Sequence, residues 1–304
     1  MARGQPRSPP RPPIRPGNKA PRPVWWDERV PGGRVRSIVF LGHPGPSVLV
    51  TAVFVALAGL AGRAVPDALR FVQLVGIMLP IQLCIGVIND VVDLPEDALA
   101  KPYKPLVAGT VSRSAAAWVG VALGVVGLVV AATLNLATLL LAGAALAAGL
   151  AYDLGLRRTI LSWVPWWGGM AVLPLAAYAS AGAIPSRLFV LVPLAALVAV
   201  GLHFANALPD IDTDRAAGVH SLPVVIGRIG AGRAGPVMLG LAGVVAWMVA
   251  VPLGQAGFVL LAGTIALGVG VVSVLATRTP RPFPILAVAT AVFTVAWLAS
   301  LPVA

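Results

Sequence analysis

Long apolar stretches separated by short polar segments dominate the chain. Runs of about 20 apolar residues can cross a bilayer as helices. Nine such runs are predicted, at 46–64, 69–88, 115–133, 135–151, 161–181, 188–208, 235–253, 256–276 and 283–302. Prolines within some of these runs do not argue against them, because bilayer helices tolerate proline. The pattern predicts an all-α, polytopic membrane protein with nine transmembrane helices in a bundle.

Composition agrees with this interpretation. The 304 residues are 58% hydrophobic and 11% charged, with a mean hydropathy of +0.91, which excludes an ordinary soluble domain. The net charge of +11 arises largely from residues 1–36, a basic segment rich in Pro and Arg. We expect this segment to be a disordered cytoplasmic tail near anionic lipid, and residues 37–304 to form the membrane domain. No folded basic module is evident, so a nucleic-acid partner is not expected.

The distribution of Lys and Arg predicts the orientation. Residues 1–36 and the loops that follow the second, fourth, sixth and eighth runs carry 19 of the 22 basic residues. The opposite side has only Arg63, Arg70 and Arg187. Because basic residues remain on the cytoplasmic side, we expect a multi-pass protein of the cytoplasmic membrane with its N-terminus inside.

Two acidic clusters follow the second and sixth runs, and they hold six of the eleven acidic residues. Their members are Asn89, Asp90, Asp93 and Asp97 in the first cluster, and Asn206, Asp210, Asp212 and Asp214 in the second. Carboxylates are costly near a bilayer, so their concentration at two such points indicates a bound metal or cation. An even number of helices separates the clusters, so both are predicted on the cytoplasmic side, with the site between two half-bundles.

Spacing predicts how each cluster is arranged. Offsets of three and seven place Asp93 and Asp97 on the helix face of Asp90, although Pro95 is expected to kink or end that helix. In the second cluster, Asn206, Asp210 and Asp214 are four residues apart and form one stripe. Asp212 either points away from this stripe or supports its members from behind.

Such carboxylates repel one another unless a cation joins them. Mg²⁺ prefers oxygen ligands and is commonly completed by substrate phosphates. Basic residues suited to the remaining phosphate oxygens are near in sequence: Lys101, Lys104, Arg157 and Arg158. From spacing alone, a metal–diphosphate site, a transporter site and plain solvated loops all remain open.

Two motifs add to this interpretation. Residues 89–97 read NDVVDLPED and continue ALAKPYKPLVAG, while residues 210–214 read DIDTD and continue RAAGVHSLPVVIG. Together they resemble the signatures of the UbiA-type intramembrane prenyltransferase family, and the second is most similar to its menaquinone-pathway branch. The resemblance implies a nine-helix bundle around a lipid-accessible cavity that holds a polyprenyl diphosphate.

The resemblance also implies roles for individual residues. Asp90, Asp93 and Asp97 would bind one Mg²⁺, and Asp210 and Asp214 a second. Asn89 and Asn206 would hydrogen-bond the phosphate or orient the carboxylates. The basic residues would neutralise the departing diphosphate; these are Lys101, Lys104 and Arg157 or Arg158.

The function expected is Mg²⁺-dependent transfer of a prenyl group from an isoprenyl diphosphate to a membrane-associated acceptor, most simply an aromatic or quinone precursor. Relatives that cyclise the prenyl diphosphate, or that prenylate lipids or phosphosugars, remain alternatives. A cation or metabolite transporter is disfavoured, because transporter ion sites tend to lie at the midplane. His203, on the stripe of Asn206, is expected to be a packing residue rather than a base.

Overall fold

The computed structural model describes residues 41–101, 104–182, 184–251 and 257–300; the predicted tail, 1–36, lies outside them. Within the described ranges, nine helices are long and apolar enough to cross a membrane. They are α1 (Pro44–Gly62), α2 (Ala68–Val92), α3 (Arg113–Ala132), α4 (Leu136–Leu154), α5 (Trp163–Ser180), α6 (Leu191–Ala207), α7 (Leu222–Ala250), α8 (Phe258–Thr277) and α9 (Phe283–Ser300). The predicted all-α, nine-span architecture is confirmed.

The predicted helix ends lie within four residues of the observed ones, except at the start of α7. This helix begins at Leu222 rather than at 235, because Arg228, Arg233 and several glycines reduce the hydropathy of its first turns. The early part of α7 bends at Gly227, whose φ of 83° lies in the left-handed region. Glycine adopts that conformation without a Cβ penalty.

The helices form a closed ring. Each of α1 to α9 packs on the next helix along the chain, and α9 returns to α1. Additional contacts between α2 and α4, and between α1 and α5, cross the first half of the ring. The fully buried side chains are mainly aliphatic and aromatic, for example Phe54, Ile77 and Phe293, so the helix faces inside the ring are held together by apolar packing.

Both acidic clusters lie where a long helix gives way to a short one. Helix α2 ends at Val92, and a short helix, Leu94–Ala100, begins with Pro95 in its first turn. Proline suits a first turn because its missing N–H has no intrahelical partner there. Helix α6 ends at Ala207 and is followed by the short helix Ile211–Ala216. We call this end of the bundle the aspartate end.

Candidate active site

Lys104 joins two buried carboxylates of the first cluster. Its Nζ donates to Asp90 Oδ1 at 2.7 Å and to Asp97 Oδ2 at 2.5 Å, and each aspartate is only 3% exposed. Lys101 Nζ lies 3.2 Å from the other oxygen of Asp97. Burial opposes the charge of Lys104, but the two carboxylates outweigh it and raise the pKa of this lysine. An ammonium group therefore bridges the acids that the sequence predicts as metal ligands.

The break between α2 and the short helix brings Asp97 back to Asp90. Asp93 ends α2 and begins the short helix, and its carbonyl accepts from the backbone N–H of Asp97 at 2.8 Å. Asp97 lies in the first turn of that helix, where the positive end of the helix dipole favours a carboxylate. The prediction that Pro95 interrupts the helix therefore agrees with the structure.

Asp93 faces a different partner from the other two aspartates. Arg157 Nη1 donates to Asp93 Oδ2 at 2.8 Å, and Arg158 Nη1 donates to Glu96 Oε1 at 2.6 Å. Burial raises the pKa of Asp93, which the charge of Arg157 only partly offsets. The structure thus differs from the expected single acidic face, because α2 ends at Val92 and helical spacing no longer applies beyond it.

The second cluster is more exposed. Asp210 begins the short helix Ile211–Ala216 and is exposed, while Asn206 and Asp214 are half-buried. Asp212 is exposed and accepts from Arg228 Nε at 2.8 Å.

Arg157 is the electrostatic link between the clusters. Burial and the charge of Asp210 raise the pKa of Asp214, and the guanidinium of Arg157 opposes this rise. The backbone N–H of His220 also donates to the carbonyl of Arg158 at 3.0 Å, which ties the segment after the second cluster to the loop after α4. Both clusters therefore lie at the aspartate end, around one pair of arginines.

The structure adds two residues to the predicted site. Asp153, near the end of α4, is 3% exposed and accepts from Asn89 Nδ2 at 3.0 Å. His43 precedes α1 with a φ of 56°, and its Nε2 lies 3.1 Å from Asp90 Oδ1. Asp153 lies two residues beyond the predicted run 135–151, so the sequence placed it in a loop. His43 was expected to be structural or interfacial rather than catalytic, because the sequence does not show how its loop packs onto α2.

Aromatic rings pack around Tyr152, the residue before Asp153. Tyr152 meets Trp166 and His203 edge-on, with ring centroids 6.1 Å and 5.9 Å away. His203 is buried, as a packing residue would be, and its Nε2 is 2.9 Å from Ser162 Oγ. Apolar and aromatic groups thus border the acidic end.

The donor set fits Mg²⁺, although the arrangement differs from a finished metal site. In the part of the chain that the structure describes, no three His, Cys, Asp or Glu side chains stand ready to hold a metal ion. Lys104 and Arg157 instead pair with the carboxylates. The ammonium of Lys104 lies between Asp90 and Asp97, and carboxylate oxygens are the ligands that Mg²⁺ prefers, so these two acids have the chemistry to hold the metal.

One protein family matches most of this chain. The UbiA prenyltransferase family matches residues 48–282. The chain belongs to this family. The predicted family, its prenyltransferase class and the multi-pass membrane topology are thereby confirmed.

Curated UbiA relatives differ in the products that their names give. Digeranylgeranylglyceryl phosphate synthase of Natronomonas pharaonis is 29% identical over 205 residues, which cover 64% of this chain and 70% of that protein. The enzyme of that name from Thermococcus kodakarensis is 33% identical over 147 residues, 46% of this chain and 51% of the relative. The bacteriochlorophyll synthase 33 kDa chain of Rhodobacter capsulatus is 30% identical over 174 residues, 51% and 54% of the two chains. These relatives do not support the menaquinone branch.

Solved UbiA structures share the fold. A structure concerning digeranylgeranylglyceryl phosphate synthase in membranes has a TM-score of 0.64 at 16% identity and covers 88% of this chain and 97% of that one. A UbiA homologue from Archaeoglobus fulgidus, bound to DMAPP and Mg²⁺, has a TM-score of 0.63 at 17% identity, with coverage of 84% and 98%. At such identities the likeness concerns the fold alone.

Proposed function

We propose that this UbiA protein transfers a prenyl group from an isoprenyl diphosphate to a lipophilic acceptor, with Mg²⁺ between the two acidic clusters. The observation that carries the proposal is the contact of Lys104 with both Asp90 and Asp97, two buried acids held by one cation. A transporter gate or a solvated loop does not require such an arrangement. The relative of known structure that holds DMAPP together with Mg²⁺ adds support.

In this proposal Asp90, Asp93 and Asp97 hold one Mg²⁺, and Asp210 and Asp214 hold a second. The metal, when bound, acts as a Lewis acid on the leaving diphosphate. Asn89 and Asn206 lie beside these acids in sequence and would donate to phosphate oxygens.

The basic residues bind the anionic donor. If Asp90 and Asp97 hold Mg²⁺, Lys104 would be free to donate to a phosphate oxygen. Lys101 is half exposed at the end of the short helix, and Arg157 and Arg158 approach from the loop after α4. Charge-assisted hydrogen bonds from these groups stabilise the negative charge that accumulates as the bond to the diphosphate breaks.

The ring of helices excludes water from the reacting carbon. The aromatic group of Tyr152, Trp166 and His203 borders the aspartate end, and water there would convert an allylic cation to an alcohol. The prenyl tail would extend from this border into the apolar bundle. The charge distribution supports an orientation in which the aspartate end faces the cytoplasm.

We propose a wider range of acceptors than the predicted aromatic or quinone precursors. The names of the relatives refer to a glyceryl phosphate lipid and to bacteriochlorophyll, so lipid and tetrapyrrole acceptors join the quinone precursors. Cyclisation without an acceptor is a distinct outcome that one assay detects.

The test uses purified full-length protein, radiolabelled geranylgeranyl diphosphate, Mg²⁺ and a panel of acceptors. We expect Mg²⁺-dependent release of diphosphate, and its loss by at least 100-fold in Asp90→Asn and Asp214→Asn. Asp67→Asn is the matched control, because Asp67 caps α2 at the opposite end and asparagine also caps helices. Full turnover in both site variants, or no Mg²⁺-dependent release by the wild type, contradicts the proposal.

A further inference from the structure

Asp153 is a buried acid to which the proposed function gives no role. Within the described lengths of α1 to α9, only Asp90 and Asp153 are acidic. An ionisable side chain in a membrane helix is costly and typically has a function. Asp153 lies one residue before the end of α4 and is 3% exposed, so solvent does not account for its presence.

Only one of its two oxygens is satisfied. Oδ1 accepts from Asn89 Nδ2 at 3.0 Å, whereas the buried Oδ2 has no hydrogen-bond partner among the described residues. The next cation along the chain, Arg157, donates to Asp93 and Glu96 instead. Because a buried carboxylate oxygen without a donor is unfavourable, Oδ2 is suited to a donor that arrives with a ligand.

Close packing fixes the direction of this carboxylate. Gly149 lies one turn before Asp153 on α4, and Ile85 lies one turn before Asn89 on α2. A Cβ atom at Gly149 would collide with the Ile85 side chain, so only glycine allows the two helices to approach this closely. The Asn89–Asp153 hydrogen bond is therefore set by the contact of two rigid helices, which is how reactive groups are held in position.

Asp153 has a polar neighbour, Asn89, and an aromatic neighbour, Tyr152. Asn89, its partner, is adjacent in sequence to Asp90 of the first cluster, where the donor diphosphate is proposed to bind. Tyr152, its neighbour, packs against Trp166 and His203. Asp153 thus contacts the motif that carries the proposed diphosphate site and directly follows a member of the aromatic group.

We propose that Asp153 Oδ2 accepts the hydrogen bond, and during reaction the proton, of a neutral hydroxyl group on the acceptor lipid. This inference rests on the proposed function. The hydroxyl oxygen forms a bond to C1 of the prenyl group while the bond from C1 to the diphosphate oxygen breaks. The electron pair of that bond leaves with the diphosphate, and the hydroxyl proton passes to Asp153. The product is a prenyl ether.

The inference selects among acceptor classes. An alcohol offers the donor that Oδ2 needs and becomes a stronger nucleophile as its proton moves to the carboxylate. An acceptor that carries its own carboxylate at this point would meet the negative charge of Asp153, and like charges in a buried site repel. We therefore infer a hydroxyl-bearing lipid, such as a glyceryl ether, rather than an aromatic acid.

The experiment compares wild type with Asp153→Asn, which keeps the shape of the side chain and an acceptor for Asn89 but removes the base. The acceptor probe is geranylgeranylglyceryl phosphate, and the donor is geranylgeranyl diphosphate with Mg²⁺. We expect kcat for ether formation to fall roughly 100-fold or more. Mg²⁺-dependent binding of geranylgeranyl thiodiphosphate, and slow hydrolysis of the donor by water, should stay within about twofold of wild type.

Two variants complete the design. Asp153→Ser, which also accepts a hydrogen bond from Asn89 and is smaller, replaces Asp153→Asn if the latter does not fold. Asp67→Asn is the matched control at the opposite end of the bundle. A purely structural role for Asp153 would reduce thiodiphosphate binding and ether formation together, whereas the proposed role reduces ether formation alone.

Four outcomes overturn the inference. Two concern Asp153→Asn: unchanged ether formation, and loss of thiodiphosphate binding. Two concern the wild type: transfer to 1,4-dihydroxy-2-naphthoate or 4-hydroxybenzoate but not to the alcohol, and no transfer to the alcohol while thiodiphosphate binding persists. None of these contradicts the proposed donor site of the wild type. Absence of Mg²⁺-dependent thiodiphosphate binding by the wild type is different, because it contradicts the proposed function itself.

Discussion

Replacing Lys104 with methionine tests whether this ammonium occupies the place of a metal ion. Methionine keeps an unbranched side chain of similar length but removes the charge. The variant loses two hydrogen bonds to carboxylates, at 2.7 Å and 2.5 Å, each worth about 1.5–3 kcal/mol. Loss of one partner from a buried ion pair costs about 3–5 kcal/mol. We therefore expect the metal-free protein to lose about 3 kcal/mol of stability, because His43 and Lys101 compensate in part.

Mg²⁺ should reverse this loss. A ligand at 100 times its dissociation constant stabilises the protein that binds it by about 2.7 kcal/mol. In the wild type, Mg²⁺ must first displace Lys104 from Asp90 and Asp97, whereas in Lys104→Met the two acids are unpaired. The increase in melting temperature on adding Mg²⁺ should therefore be larger in the variant.

The assay is thermal unfolding of detergent-purified protein with and without Mg²⁺. Lys101→Met is the matched control, because Lys101 is more exposed and contacts Asp97 at only 3.2 Å, a pair worth at most about 1 kcal/mol. Equal destabilisation by the two substitutions, or a smaller Mg²⁺ effect in Lys104→Met than in wild type, would refute the reasoning.

Three further predictions concern the surrounding structure. Gly149→Ala should cost about 1–3 kcal/mol of stability by overpacking and reduce prenyl transfer. Gly143→Ala on the same helix, where a Cβ meets only a methyl at 3.9 Å, should leave stability and transfer unchanged. Melting curves and turnover measurements check this. Arg157→Lys keeps the charge but loses the paired geometry, so titration with Mg²⁺ and thiodiphosphate should show at least tenfold weaker donor binding. The raised pKa of Asp214 means that its contribution to stability is present below about pH 4 and is lost as pH rises through the raised value. Because Mg²⁺ binds the carboxylate, its stabilising effect should grow over that range, and a pH-independent effect would contradict this.

The helices were predictable because each bilayer span leaves a strong apolar signal. The start of α7 was not, because glycines and two arginines conceal helical turns that lie beyond the apolar run. The interruption at Pro95 could also be anticipated, since a proline at the polar end of an apolar run tends to kink or end a helix. The direction that the chain takes after Pro95 could not be anticipated, and this direction brings Asp97 to Lys104.

Pairings between distant residues were beyond the sequence. Lys104 and Arg157 were both predicted as phosphate ligands from their positions, yet nothing in the spacing assigns one to Asp97 and the other to Asp93. Asp153 was overlooked because it lies outside both clusters and beyond the predicted end of the fourth run at 151. Its role is inferred from its hydrogen bond with Asn89, 64 residues earlier. Only the packing of α2 on α4 brings these two residues together.

The two arginines after α4 connect the two acidic clusters. Arg157 pairs with Asp93 and also acts on the charge of Asp214, and the carbonyl of Arg158 holds the backbone of His220. The α4–α5 loop thus contacts both halves of the ring at the aspartate end. An anionic donor that draws Arg157 away from Asp93 would leave that carboxylate without its cation while bringing in Mg²⁺ to replace it. Donor and metal should therefore bind cooperatively, each supplying the charge that the other displaces.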